Sequence, residues 1–252
     1  MKKYAVLFLL VYFLLCSHTA FAQQSTSVPF PKIGINVGTS SNPGDVSVTI
    51  QLLLLLTVLS LAPSIMIMTT AYLRIIIVFH FLKTALGTPQ MPPGQLVAGI
   101  SLFITFFVMA PTWSKVNDQA LKPLMNGTIS VQEAYDKGIE PVREFMFKNV
   151  RNEDLELFLG LAHMERPKDR VDLPTYILIP SFVLSELRAG FIIGFFLFIP
   201  FLMIDMIIAS ILMSMGMMML PPTLISLPFK ILLFILVDGW HLIIGSVVRS
   251  FS

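Results

Sequence analysis

This sequence of 252 residues has one cysteine, Cys16, and little charge, with only 13% Asp, Glu, Lys and Arg. A soluble domain carries about 25%, so an ordinary soluble fold is excluded. Cys16 falls in the signal peptide described below, which leaves a mature chain without disulfides or thiol chemistry. The net charge is only +2 and no basic block occurs, which argues against nucleic acid as a partner. The phosphate-cradling pattern G-x-x-x-x-G-K-[ST] is absent, so no nucleotide is hydrolysed by that route. The histidines (His18, His80, His163, His241) are scattered, and no His/Cys/Asp cluster has metal-ligand spacing. No nucleophile is paired with a base. The expectation is a protein that is not an enzyme and uses no cofactor or metal.

What is abundant is apolar. Hydrophobic residues make up 55% of the chain and the mean hydropathy is +0.81, which predicts an all-α integral membrane protein. Lys2 and Lys3 precede an apolar run from Tyr4 to Cys16, and Ala20-Phe21-Ala22 offers an A-x-A cleavage site at Ala20 and Ala22. Residues 1–22 therefore read as a signal peptide, with an uncleaved first transmembrane helix as the alternative. Leu15 before Cys16 is too large for a lipoprotein signal. Residues 23–47, rich in Ser, Pro, Gly, Thr and Asn, read as a flexible extracytoplasmic leader.

Four apolar segments follow. Residues 48–113 form a first helical hairpin, turned by the Pro/Gly-rich residues 87–94, with a kink expected at Pro63 and an end at Ala110-Pro111-Thr112-Trp113. Residues 176–252 form a second hairpin, in which Pro200 is expected to interrupt the first limb. Between them, residues 114–175 hold 9 of the 17 basic and 11 of the 15 acidic residues. They read as a small amphipathic domain of two or three short helices outside the hydrocarbon. Ser130-x-x-Glu133 suits a capping box, Pro141 suits the first turn of a helix, and Asn152 suits a cap. Phe145 and Phe158 are its largest apolar projections, as core packing or as a subunit interface. A cleaved signal and four crossings put the 114–175 domain outside the cytoplasm and the tip of the second hairpin at the cytoplasmic end; charge bias supports this weakly.

Two features of the second hairpin point to function. The first is charge in an apolar setting: Glu186, Arg188, Asp205, Lys230 and Asp238. A charge at mid-bilayer costs at least ~2.5–3.5 kcal/mol, so such residues are paired, used or shielded from lipid. Glu186 and Arg188, two apart, point to nearly opposite sides of a helix. A Glu186–Lys230 contact between neighbouring hairpins is expected, and Lys230 and Asp238 are expected to be structurally or functionally paired. The second is a methionine cluster (Met213, Met215, Met217, Met218, Met219) around Gly216, closed by Pro221-Pro222. Flexible thioethers pack against varied surfaces, so a ring of such loops would seal a passage as a gasket. Met203 and Met206 read as core fillers.

The segments PSIMIMTTAYLRIIIVFHFLKTALGTPQMPPGQ (63–95), LPTYILIPSFVLSELRAGFIIGF (173–195), DMIIASILMSMGMMMLPP (205–222) and LPFKILLFILVDGWHLIIGS (227–246) together resemble the FliP family of flagellar protein-export gates, which is also known in injectisome secretion systems. The resemblance spans about residues 48 to 250. It implies a ring of about five copies with FliQ-like and FliR-like membrane subunits, and with FlhA-like and FlhB-like proteins nearby. It further implies that unfolded flagellar proteins pass through this ring at the basal body in the bacterial inner membrane. It assigns the gasket to Met215–Met219 and links Glu186 and Lys230 to assembly and gating contacts. More loosely, it places Phe145 and Phe158 at extracytoplasmic subunit contacts. It also implies helices raised largely out of the bilayer plane. The rival readings are an injectisome export-gate subunit and a proton-coupled solute transporter using Glu186, Asp205 and Asp238.

Overall fold

A computed structural model describes residues 43–165, 167, 169, 172–217 and 220–251. The cleavage residues Ala20 and Ala22, and Met218 and Met219 of the tip, lie outside these. The chain divides into two units, Met1–Leu52 and Leu53–Ser252. The described part of the first consists of the opening turns of helix α1 (Pro43–Thr69), and all other described elements belong to the second.

The second unit is all helical, with no strand among the described residues. After α1 come α2 (Tyr72–Ala85) and α3 (Gly94–Val116), the latter continuing through a π-turn (Asn117–Leu121) into α4 (Lys122–Met125). Two amphipathic helices, α5 (Val131–Asn149) and α6 (Asn152–Leu161), precede a 40-residue helix α7 (Thr175–Ser214). Helices α8 (Pro222–Leu236) and α9 (Gly239–Arg249) complete the chain and meet at a bend of 66°. Among the described residues three stretches are long and apolar enough to cross a membrane, Ile50–Thr69, Gly94–Met125 and Thr175–Ser214, or four if the bent pair α8 and α9 counts as one broken span.

Hydroxyls in these apolar helices are satisfied by the helix that carries them. Thr57 donates to Leu53 O, Thr69 to Ile65 O, Ser101 to Val97 O, Thr105 to Ser101 O and Ser181 to Ile177 O. Lipid supplies no hydrogen bond, so this back-bonding is what makes a polar side chain tolerable there.

Several element ends differ from the sequence-based expectation, and in each case proline is the reason. α1 runs through Pro63, and the first apolar segment changes helix at Thr70-Ala71 instead. α7 runs unbroken through Pro180 and Pro200, α3 passes Pro111 without ending, and Pro141 sits inside α5 instead of starting a helix. A proline removes one backbone hydrogen bond, a loss that a long helix packed by its neighbours absorbs. The Ser130/Glu133 capping box is present as expected: Glu133 N donates to Ser130 Oγ at 3.2 Å and Ser130 N to Glu133 Oε2 at 3.0 Å. Asn152 is the first helical residue of α6, with Arg151 in the capping position.

The core lies where α2 packs along α7, the two running in the same direction. Arg74, Ile77 and Phe81 of α2 meet Glu186, Gly190 and Gly194 of α7 in turn. A Cβ on Gly194 would stand 2.5 Å from the Phe81 ring, and one on Gly190 would stand 3.0 Å from Ile77. The absent side chains at this spacing of four form the groove that admits α2. A second cluster joins the charged helices to the first turns of α7: Met146, Leu155 and Leu159 pack on Leu173, Ile177, Leu178 and Phe182. Arg143 ties the same junction by donating to Leu173 O at 2.7 Å and to the Thr175 hydroxyl.

Candidate functional site

Helix α7 carries three candidate features along its length: a buried charge near its start, a second charge nineteen residues on, and the methionine tip. At 1.5 Å per residue the two charges are separated by about 28 Å.

At the first, the Glu186 carboxylate is fully buried and is held by Arg74 of α2. Arg74 Nε donates to Glu186 Oε2 at 2.9 Å and Nη2 to Oε1. The other face of the guanidinium is equally occupied. Nη1 donates to Ser250 O and to Ser250 Oγ, both at 2.9 Å, and Nη2 reaches Asn149 Oδ1 at 3.5 Å. Its carbon lies 3.8 Å from the centroid of the Phe251 ring. All five N–H donors of the arginine are thus used, and four chain segments meet at one side chain. Beside Glu186, Ser185 Oγ donates to Asp154 Oδ2 at 2.7 Å and accepts from Arg151 N at 3.0 Å, which fastens the start of α6 to α7.

At the second, Asp205 is paired with Lys230 of α8. Lys230 Nζ donates to Asp205 Oδ2 at 2.6 Å and to Ala85 O at 3.1 Å, and the Ser226 hydroxyl donates to Asp205 Oδ1. The last turn of a helix leaves carbonyls without partners. Lys230 therefore caps α2 and neutralises Asp205 with the same ammonium. The Asp205 side chain keeps 21% exposure, against 0% for Glu186.

The expected Glu186–Lys230 contact is not made within the chain, nor is a Lys230–Asp238 pair. Each buried charge instead finds a closer partner on its own level of α7. Arg188 is exposed while Glu186 is buried, as a spacing of two on a helix requires. Asp238 is exposed and precedes α9 in a left-handed backbone conformation, φ 50°, without a side-chain capping bond. Arg74 was missed as a site residue. The signal was available: Arg74, Ile75, Val78, Phe79, Leu82 and Ala85 are the buried stripe of α2 at helical spacing, and an arginine within such a stripe needs an acid.

At the tip, α7 ends in a Schellman turn: Met217 N donates to Leu212 O and Gly216 N to Met213 O, with Gly216 at φ 75°. Glycine is required there because the conformation is left-handed. Pro221 and Pro222 then start α8, Pro222 at the first helical position. Met213, Met215 and Met217 are all exposed, as are Met203 and Met206 on the flank of α7, which are therefore not core fillers within the chain. Of the aromatic pair in the charged helices, Phe145 is half-buried, edge-on to Phe182 (centroids 5.9 Å) and stacked with Phe251 (6.1 Å), while Phe158 lies half-buried against the second cluster. Among the described residues no group of three or more His, Cys, Asp and Glu is gathered as a metal site.

A sequence model described as the FliP family matches residues 55–247, a span that contains both charge pairs and the tip. A Bacillus subtilis protein named flagellar biosynthetic protein FliP is 56% identical over 217 residues, covering 86% of this chain and 98% of its own length. The Caulobacter vibrioides protein of the same name is 48% identical over 220 residues, covering 87% and 82%. The Borreliella burgdorferi one is 42% identical over 238 residues, covering 93% and 92%.

Proposed function

The chain belongs to the FliP family, and from that premise we propose that it is a pore-forming subunit of the flagellar type III protein-export gate in the bacterial inner membrane. Copies of the chain assemble into a ring with smaller FliQ-like and FliR-like membrane subunits, close to FlhA-like and FlhB-like proteins of the basal body. Unfolded flagellar proteins cross through its centre, and the tip methionines Met215, Met217, Met218 and Met219 close that centre at rest. The extracytoplasmic part is the 114–175 region, with Phe145 and Phe158 beside the subunit contacts. The chain performs no chemistry and takes no cofactor.

The observation that carries this reading is the length and bareness of α7. Forty residues of helix extend about 60 Å, twice the ~30 Å of hydrocarbon in a bilayer. Its flank exposes Phe191, Phe195, Phe196, Met203, Met206, Ile207 and Met213 over the second half of the helix, about 33 Å. This flank has no partner within the chain, whereas the first half of the same helix is enclosed by its own subunit. Neighbouring subunits cover it, which also suits helices raised above the membrane plane. The relatives' printed names are flagellar, which favours flagellar over injectisome use. The transporter reading needs a proton relay. Glu186 and Asp205 are about 28 Å apart and each is neutralised by its own cation, which weighs against it.

The test is native mass spectrometry of the protein co-expressed with its genomic neighbours and purified in mild detergent. A complex of about five copies with smaller hydrophobic partners is expected. A lone monomer in the presence of those partners would overturn the reading and bring the transporter forward.

A further inference from the structure

The last turn of the chain is held in the core by more bonds than its position requires. Phe251 is 93% buried by its neighbours, with 7% of its surface exposed. One face of its ring lies under the Arg74 guanidinium at 3.8 Å, and it stacks with Phe145 of α5 at 6.1 Å and an interplanar angle of 25°. Its carbonyl accepts from Lys148 Nζ at 3.3 Å. The preceding residue, Ser250, takes both hydrogens of Arg74 Nη1, one on its carbonyl and one on its hydroxyl. The hydroxyl can accept there because its own hydrogen goes back to Val247 O at 2.7 Å. These two residues therefore touch α2 and α5 together, and through Arg74 they bear on Glu186 of α7.

We propose that Ser250 and Phe251 are positioning residues that form a latch. They fix the plane of the Arg74 guanidinium so that it meets Glu186 edge-on, and they clamp the charged helix α5 onto α2. The reason is geometric. A guanidinium binds a carboxylate by two parallel bonds only when its plane is set, and the Glu186 side supplies just one edge. Ser250 supplies the opposite edge and Phe251 supplies the face, so no rotation is left to the group. The Phe251 ring is also the piece that joins Arg74 to Phe145, and the Lys148 bond to its carbonyl closes the contact from the α5 side. Remove the ring and α5 keeps its hold on the start of α7 through Arg143 and Met146, but its tie to α2 is weakened to the long Arg74–Asn149 bond of 3.5 Å. In the assembled protein, the orientation of the 131–161 helices relative to the long helices then depends on the Ser250–Phe251 turn. That effect on assembly rests on the export-gate reading; the latch itself does not.

The experiment is hydrogen exchange by mass spectrometry on the full chain in detergent, comparing wild type with Phe251→Ala, Phe251→Tyr and Ser250→Ala. Opening of the latch is a local event, so Phe251→Ala speeds exchange about tenfold at residues 143–150 and 73–78 and leaves 202–213 and 223–236 unchanged. Phe251→Tyr keeps a ring under Arg74 and restores slow exchange, and Ser250→Ala gives a smaller increase confined to 73–78. Unchanged exchange in Phe251→Ala overturns the proposal, and so does an equal increase in every helix, which would make Phe251 a general core residue. The same variants are co-expressed with the neighbouring subunits and the complex is weighed. Loss of the complex in Phe251→Ala with recovery in Phe251→Tyr supports a latch that governs assembly, and an undiminished complex in Phe251→Ala overturns it. If the wild type forms no complex, the export-gate reading is the one that fails, and the exchange data still decide the latch.

Discussion

The two ends of α7 are built on opposite principles. Near its start the helix is enclosed: Glu186 is fully buried, Ser181, Phe182 and Ser185 are buried beside it, and α2, α5, α6 and the Ser250–Phe251 turn all close on it. Near its finish it is bare: Met203, Met206, Met213 and Met215 are exposed, and only α8 and the end of α2 lean on it through Asp205 and Lys230. The same chemistry of an acid paired with a base appears at both places, but its surroundings differ. The enclosed pair has every donor used and no water. The bare pair keeps a partly exposed carboxylate on a helix whose flank has no partner in the chain. A single helix thus has one end fixed within its own subunit and one end left for others.

The difference is broken most sharply at the enclosed end. Glu186→Ala leaves Arg74 charged and dry, and loss of one partner of a buried pair costs about 3–5 kcal/mol. A large fall in the denaturation midpoint in detergent is expected, with Arg74→Lys falling nearly as far, because an ammonium cannot replace a bidentate fork. A midpoint equal to wild type for Glu186→Ala would mean that the pair carries no stability. At the bare end, Asp205→Ala costs less, about 2 kcal/mol, because Lys230 keeps the Ala85 carbonyl and the carboxylate that is removed was itself partly exposed. If it proves the more damaging of the two, the contrast between the ends is wrong.

Smaller still is the cap of α5. Ser130→Ala removes the bond to Glu133 N and costs about 1 kcal/mol, measurable by the same denaturation. The Glu133 carboxyl is held below the usual range, chiefly by the backbone N–H of Ser130, helped by Lys137 and the Ser130 hydroxyl. A group whose pKa is lowered by folding stabilises the fold above its unfolded value. That contribution is lost as pH falls through the lowered folded value. The helix therefore loosens in acid, and Ser130→Ala narrows the acid-dependent loss. An unaltered acid limb in the variant would separate the cap from the titration.

The smallest effect on stability is expected at the tip, with the largest effect on permeability. Replacing Met217, Met218 and Met219 by Ala is expected to shift the denaturation midpoint by under about 0.5 kcal/mol, Met217 being exposed, while the shorter side chains let small ions leak through cells that carry the assembled complex. Unchanged ion permeability with the complex intact would remove the gasket role from these residues.

Much of this was legible in the residues. Composition alone predicts the helical membrane class, the S-x-x-E pattern predicts the cap of α5, and the spacing of Glu186 and Arg188 predicts that one is buried and the other exposed. Prolines misled, because a breaking rule learned from short soluble helices was applied to long ones held by neighbours. The pairing of charges misled for another reason. Lys230 is the nearest cation to Glu186 in apolar character, but α2 runs beside α7, and that adjacency brings Arg74 to it. Which helices are neighbours is set by the Gly190 and Gly194 groove and its fit to Ile77 and Phe81. Shape of this kind is not visible in a list of hydropathies. Met203 and Met206 were misplaced because the core expected for them is not in the chain.

The fork between Arg74 and Glu186 also has a history during synthesis. The two residues are 112 positions apart and Ser250 is 176 beyond Arg74. A ribosome adding about 5–20 residues per second leaves the arginine without its acid for roughly 6–22 seconds, and without its last bonds for longer. An unpaired guanidinium is costly to bury, so α2 can take its buried seat only once α7 has been made. The seat of an early helix thus waits on residues made long after it.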